Sequence, residues 1–134
     1  MQEILETLTE IKPLVDKYIE KIFPRKGTPQ ILYDGAWKYL DYGGKRWRPA
    51  LLVLACKALN GKAEHAIPAA AALELAHTFF LVHDDIEDYS NVRRGKPTLH
   101  IQYGIPHAIN MGDFLFMKAY EAAFSGEKIW GPQK

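Results

Sequence analysis

The stretch EHAIPAAAALELAHTFFLVHDDIEDY, residues 64–89, governs how the rest of the chain is read. Apolar residues recur in it three and four apart, which predicts one long helix with Pro68 in its first turns. The nearly uncharged run 66–82 is interrupted by Pro68, Glu74 and His77 and carries four consecutive alanines. That composition fits a buried core helix, since a membrane span needs about 20 predominantly apolar residues. The end of the stretch then places Asp84, Asp85, Glu87 and Asp88 within five positions.

Outward from this helix the same spacing recurs, and no segment shows sustained alternation, so the expected fold is all-α, a helical bundle. A first helix is predicted over residues 2–23, with Ile4, Leu5, Leu8, Ile11, Val15, Tyr18, Ile19 and Ile22 as its apolar stripe and Pro13 as a possible kink. A second covers 30–42 and stops at Gly43 and Gly44, and a third runs from Pro49 to Leu59 before Asn60 and Gly61. Beyond residue 89, SNVRRGKP reads as a loop, with Gly95 suited to a turn. A short turn near 98–103 and a final helix over 105–124 follow, and the tail 125–134 is expected to fray.

A length of 134 residues predicts a single domain, 1–134. The net charge of +1 and the lack of aromatic interleaving among the basic residues argue against a nucleic-acid partner. The one cysteine, Cys56, lies in an apolar run, which excludes an intramolecular disulfide and suits a reducing cytoplasm. The acidic amphipathic start MQEILETLTEIK has no signal-peptide pattern, so the expected location is cytoplasmic, with no transmembrane segment.

Helical geometry then aligns His77, Phe80, Asp84 and Asp88 on one face, with Asp85 a little over a quarter-turn away. Two carboxylates one turn apart suit magnesium, which keeps several waters and shares its remaining sites with substrate phosphates. Taken alone, the pattern leaves a solvated acidic helix end equally open, although acid at a helix C-terminus opposes the macrodipole. Lys45, Arg46 and Arg48 follow two glycines and precede a helix, an arrangement able to surround an anion. Arg93 and Arg94 supply a second cationic pair.

GGKRWRP at 43–49, ELAHTFFLVHDDIED at 74–88 and RRGKPTLH at 93–100, in that order, resemble the N-terminal half of the trans-isoprenyl diphosphate synthases, or polyprenyl synthetases. The resemblance runs from about Pro29 to Ala123. It implies half of an isoprenoid-synthase fold and a prenyltransferase of the geranyl, farnesyl or geranylgeranyl diphosphate synthase type. Such an enzyme condenses isopentenyl diphosphate with an allylic diphosphate through magnesium-assisted ionisation, condensation and proton loss. Position by position, Asp84 and Asp88 match metal ligands and Asp85 the second aspartate of the motif. Lys45, Arg48, His77 and Arg94 match the isopentenyl diphosphate site, and Arg93 an allylic diphosphate contact. Phe79 and Phe80 occupy the positions that floor the chain-length pocket, where bulky rings resemble short-product members. By the same resemblance Asp84, Asp85, Asp88 and Arg93 form the catalytic set.

The family's second aspartate-rich motif is absent, and family members are expected to be about twice as long. A lone monomer is therefore expected to be nearly inactive. Three readings follow: a partial synthase completed by a homo-oligomer or a separate C-terminal-half subunit, a noncatalytic subunit that binds prenyl diphosphates, and a truncated remnant.

Overall fold

The computed structural model describes residues 2–131. Four helices come first: α1 (Gln2–Ile22), α2 (Gln30–Leu40), α3 (Trp47–Ala58) and α4 (Ala63–Glu87). A two-stranded antiparallel hairpin follows, β1 (Val92–Arg93) and β2 (Lys96–Pro97), and then α5 (Leu99–Tyr103), α6 (Ile105–Ser125) and α7 (Glu127–Trp130). The fold is all-α apart from that hairpin, and the long helices begin and end within two residues of their predicted positions.

Two local expectations need revision. The segment SNVRRGKP is not a plain loop: Val92 pairs with Pro97 and Arg93 with Lys96, closed by Arg94 and Gly95 at φ 53° and 75°. Two central residues with positive φ match the twist of a tight hairpin, and strands this short leave no alternation to read. The tail expected to fray contains α7 in its described part, where the Trp130 indole N–H donates to the His65 carbonyl at 2.8 Å. Residues 132–134 lie outside the described residues.

The chain gathers into two compact units, Met1–Phe23 with Lys45–Glu74 and Lys118–Lys134, and Pro24–Gly44 with Leu75–Met117. In the first unit α1 packs against α3. Leu8, Ile11, Val15 and Ile19, spaced three and four apart, are buried along α1, as the amphipathic stripe requires; α1 runs through Pro13. α3 ends as Asn60 and Gly61 predict. Asn60 takes the left-handed conformation at φ 61°, and the Gly61 N–H reaches back to the Cys56 carbonyl at 2.8 Å.

In the second unit Trp37, Tyr39 and Leu40 of α2 are buried, with Leu75 and Val82 of α4 and Met111 and Leu115 of α6. A Cβ at Gly35 would collide with the buried Met111 side chain, which would have to shift. By length and composition α4 could cross a membrane, but it carries Glu74, Asp84, Asp85 and Glu87 and buries Ala70, Ala71, Leu75 and Val82 in the protein core. These features are those of the core helix of a soluble protein.

The first unit also buries a charge. Arg46 is 7% exposed and donates from Nε to Asp16 at 2.8 Å and from Nη1 to Glu74 at 2.7 Å. Burial by itself would lower the Arg46 pKa, but the Glu74 charge and the bond to Asp16 outweigh it and hold the pKa raised. Glu74 is buried and Asp16 is partly exposed. Removing the buried partner of an ion pair typically costs about 3–5 kcal/mol, because the remaining charge stays in the core. Glu74→Ala is therefore expected to lose about that much stability in urea unfolding, against about 1 kcal/mol for Asp16→Ala. Equal losses would show that burial does not rank the two contacts.

Candidate functional site

The acidic end of α4 sorts its carboxylates by burial. Asp84 and Asp88 are exposed, whereas Asp85 is 1% exposed. Asp88 lies just past the helix, yet its N–H still bonds to the Asp84 carbonyl at 2.8 Å, so the two stay one turn apart. The helix stops at Tyr89, which takes φ 54°. The Tyr89 and Ser90 N–H groups reach back to the carbonyls of Ile86 and Asp85 at 3.3 and 2.9 Å, closing a Schellman motif. A tyrosine in that conformation costs about 1–2 kcal/mol relative to glycine. Two bonds anchor the hairpin base to this ending, from Thr98 Oγ1 to the Ser90 carbonyl at 2.8 Å and from the Thr98 N–H to the Asn91 carbonyl at 3.1 Å.

The hairpin returns Arg93 to α4. Its Nε donates to Asp85 Oδ1 at 2.7 Å and its Nη2 lies 2.7 Å from the same oxygen. On the other side Tyr39 of α2 donates its hydroxyl to Asp85 Oδ2 at 2.5 Å. Asp85 thus meets the requirement that a buried carboxylate be paired and hydrogen-bonded. Burial first, and then the bond to Asp85, push the Tyr39 phenol far above its ordinary pKa. The Asp85 bond, which exceeds the opposing effect of burial, raises Arg93 as well.

Arg94, at the tip of the turn, faces Gly44. A Cβ on Gly44, whose φ is 152°, would lie 2.9–3.0 Å from the Arg94 guanidinium nitrogens. The second glycine of the motif therefore makes room for an arginine, where the sequence suggested a flexible cradle. Tyr42 braces the same hairpin by donating to the Pro97 carbonyl at 2.6 Å, while Gln102 Nε2 donates to the Tyr42 oxygen and to the Pro97 carbonyl at 2.5 and 2.7 Å.

His77 lies half-buried on α4, two turns before Asp84 on the same face, with exposed Phe80 between them. Phe79 is half-buried in a ring cluster, its centroid 4.7 Å from Phe116, 4.8 Å from Phe80 and 4.6 Å from His83. Lys45 and Arg48 belong to the first unit, both exposed at the start of α3. Arg46 between them takes φ 53° and turns inward, so one of the three cations grouped from the sequence is structural.

Among the described residues no three His, Cys, Asp or Glu side chains converge on a metal position. Asp85 is committed to Tyr39 and Arg93, which leaves Asp84 and Asp88. Two exposed carboxylates form too few ligands for an all-protein cage, but they fit magnesium held jointly with waters and substrate phosphates.

Residues 29–128 match the family model for polyprenyl synthetase. The chain belongs to the polyprenyl synthetase family. It is 40% identical over 116 residues to geranylgeranyl diphosphate synthase of Sulfolobus acidocaldarius, covering 87% of this chain and 33% of that protein. Over 107 residues it is 44% identical to the geranylgeranyl diphosphate synthase of Methanosarcina mazei, covering 80% and 33%. The crystal structure of geranylgeranyl pyrophosphate synthetase from Pyrococcus horikoshii superposes with a TM-score of 0.85 at 43% identity, over 90% of this chain and 37% of that one. The chain thus spans about a third of the length of the curated relatives it matches.

As a polyprenyl synthetase family member the chain carries DDIED intact, but the three aspartates are unlike in environment. Tyr39, Tyr42 and Gln102 lie outside the quoted motifs, and no local pattern marks them, because each acts on a partner distant in sequence. The pH dependence of stability provides a check on Tyr39. Its folded pKa is raised, so its contribution is complete below the ordinary tyrosine value of about 10 and drains away as pH rises through the folded value. Above about pH 10 the unfolding free energy of the wild type is expected to fall by up to about 1.4 kcal/mol per pH unit more steeply than that of Tyr39→Phe. Parallel urea-unfolding curves for the two proteins across that range would contradict the assignment.

Proposed function

We propose that this chain is a prenyltransferase, or a prenyltransferase subunit, that condenses isopentenyl diphosphate with an allylic diphosphate in the cytoplasm. The observation that carries the reading is the unequal burial within DDIED: Asp84 and Asp88 face solvent one turn apart, and buried Asp85 holds Arg93 beside them. Asp84 and Asp88 are the ligands proposed for magnesium. Magnesium bound there would offset the charge of a departing diphosphate. Arg93 donates to the allylic diphosphate, and its charge stabilises that group as the carbon–oxygen bond ionises. Lys45, Arg48, His77 and Arg94 are proposed to bind isopentenyl diphosphate, whose double bond attacks the allylic cation before a proton is lost.

Completing the site is proposed to take more of the fold than these residues, from a second copy or from a C-terminal half. Exposed Ile105, Ile109, Met117, Tyr120 and Phe124 recur at helical spacing along α6, which supports an oligomer. Phe80, 55% exposed on the Asp84 face, is proposed to limit product length, with Phe79 behind it.

Asp84→Ala with Asp88→Ala is expected to weaken magnesium-dependent binding of geranyl diphosphate by more than about tenfold in calorimetry, equivalent to about 1.4 kcal/mol. Unchanged affinity in the double variant would sink the site. The activity itself is read by incubating the chain with magnesium, labelled isopentenyl diphosphate and geranyl diphosphate while its oligomeric mass is recorded. A longer prenyl product supports the transferase, and Phe80→Ala is then expected to lengthen it. Binding without product from any oligomer would favour the noncatalytic subunit.

A further inference from the structure

Tyr39 belongs to none of the motifs that identify the family, yet it is 2% exposed and spends its hydroxyl on a carboxylate that is 1% exposed. The two oxygens of Asp85 divide between partners: Oδ2 accepts from Tyr39 at 2.5 Å and Oδ1 accepts from Arg93 Nε at 2.7 Å. The terminal torsion of an aspartate is broad, so a carboxylate held at one oxygen can swing. The Tyr39 bond fixes that torsion and with it the direction in which Oδ1 is presented.

Arg93 depends on that direction. It sits on a strand of two residues in an isolated hairpin, and such a ribbon is marginal by itself. Its side chain is 28% exposed. Of its five donor hydrogens, the one on Nε is donated to Asp85, with Nη2 2.7 Å from the same oxygen, and the outer part of the fork remains for an anion. The bond from α2 to α4 therefore continues into the orientation of a cation on the hairpin, through one carboxylate that is withheld from solvent.

We propose that Tyr39 is a positioning residue, which locks the Asp85 carboxylate so that Arg93 presents its guanidinium to the allylic diphosphate. The proposal rests on the prenyltransferase reading above. It assigns Asp85 the part of an aiming acceptor, while Asp84 and Asp88 keep the part of metal ligands.

The test uses the full chain and Tyr39→Phe, which keeps the ring and removes the hydroxyl. In the ligand-free protein the Arg93 Nε–H resonance is expected to exchange with water about tenfold faster in Tyr39→Phe than in the wild type. The Kd for inorganic pyrophosphate with magnesium is expected to rise about three- to tenfold, the range for loss of one hydrogen bond. In an Arg93→Ala background the same tyrosine substitution is expected to leave that Kd unchanged, because its effect passes through Arg93. A purely structural tyrosine would instead weaken binding equally in both backgrounds, and that outcome overturns the proposal, as does an unperturbed Arg93 Nε–H in Tyr39→Phe. If Tyr39→Phe fails to fold, Tyr39→Met, which also lacks the hydroxyl, replaces it, with the same expected exchange and the same dependence on Arg93. A wild-type chain that binds no magnesium pyrophosphate would sink the prenyltransferase reading itself. Binding by the wild type beside an unperturbed Arg93 would sink the positioning role alone.

Discussion

A carboxylate taken out of water at the C-terminal end of a helix is disfavoured twice, by desolvation and by the helix dipole, and Asp85 is in that position. Much of the second unit is arranged to satisfy it. Tyr39 approaches from α2 and Arg93 from the hairpin, and between them they engage both oxygens. Asp85 points inward, whereas Asp84 and Asp88 of the same motif are exposed.

The hairpin shows how that constraint propagates. Its two-residue strands contribute little stability alone, and it is held instead by Thr98 against the end of α4, by Tyr42 and Gln102 at Pro97, and by Arg93 on Asp85. Arg94 at the tip occupies space that Gly44 leaves open. Gly44 and the arginine pair, which read in sequence as two separate flexible and basic segments, are parts of one packed corner.

Cations divide in the same way as the aspartates. Arg46 is structural, buried against Glu74 and Asp16, while Lys45 and Arg48 on either side of it remain exposed at the start of α3. The left-handed backbone at Arg46 accomplishes the separation within four residues. A charge count of this segment therefore overstates what an anion can use.

Local periodicity was enough to place the helices, because burial of an apolar stripe with a 3.6-residue repeat leaves its mark in the sequence of each segment. The stops at Asn60–Gly61 and Gly43–Gly44 were legible for the same reason, since they depend on backbone preferences of the residues themselves. The hairpin was missed because two-residue strands carry no pattern. The sequence alone thus determined the all-α class, the order of helices, the family and the presence of an intact aspartate motif. Only the tertiary structure decided which charges are buried. Tyr39 meets Asp85 across 46 residues and Arg46 meets Glu74 across 28, and no local signal distinguishes a carboxylate that will find such a partner from one that will face solvent.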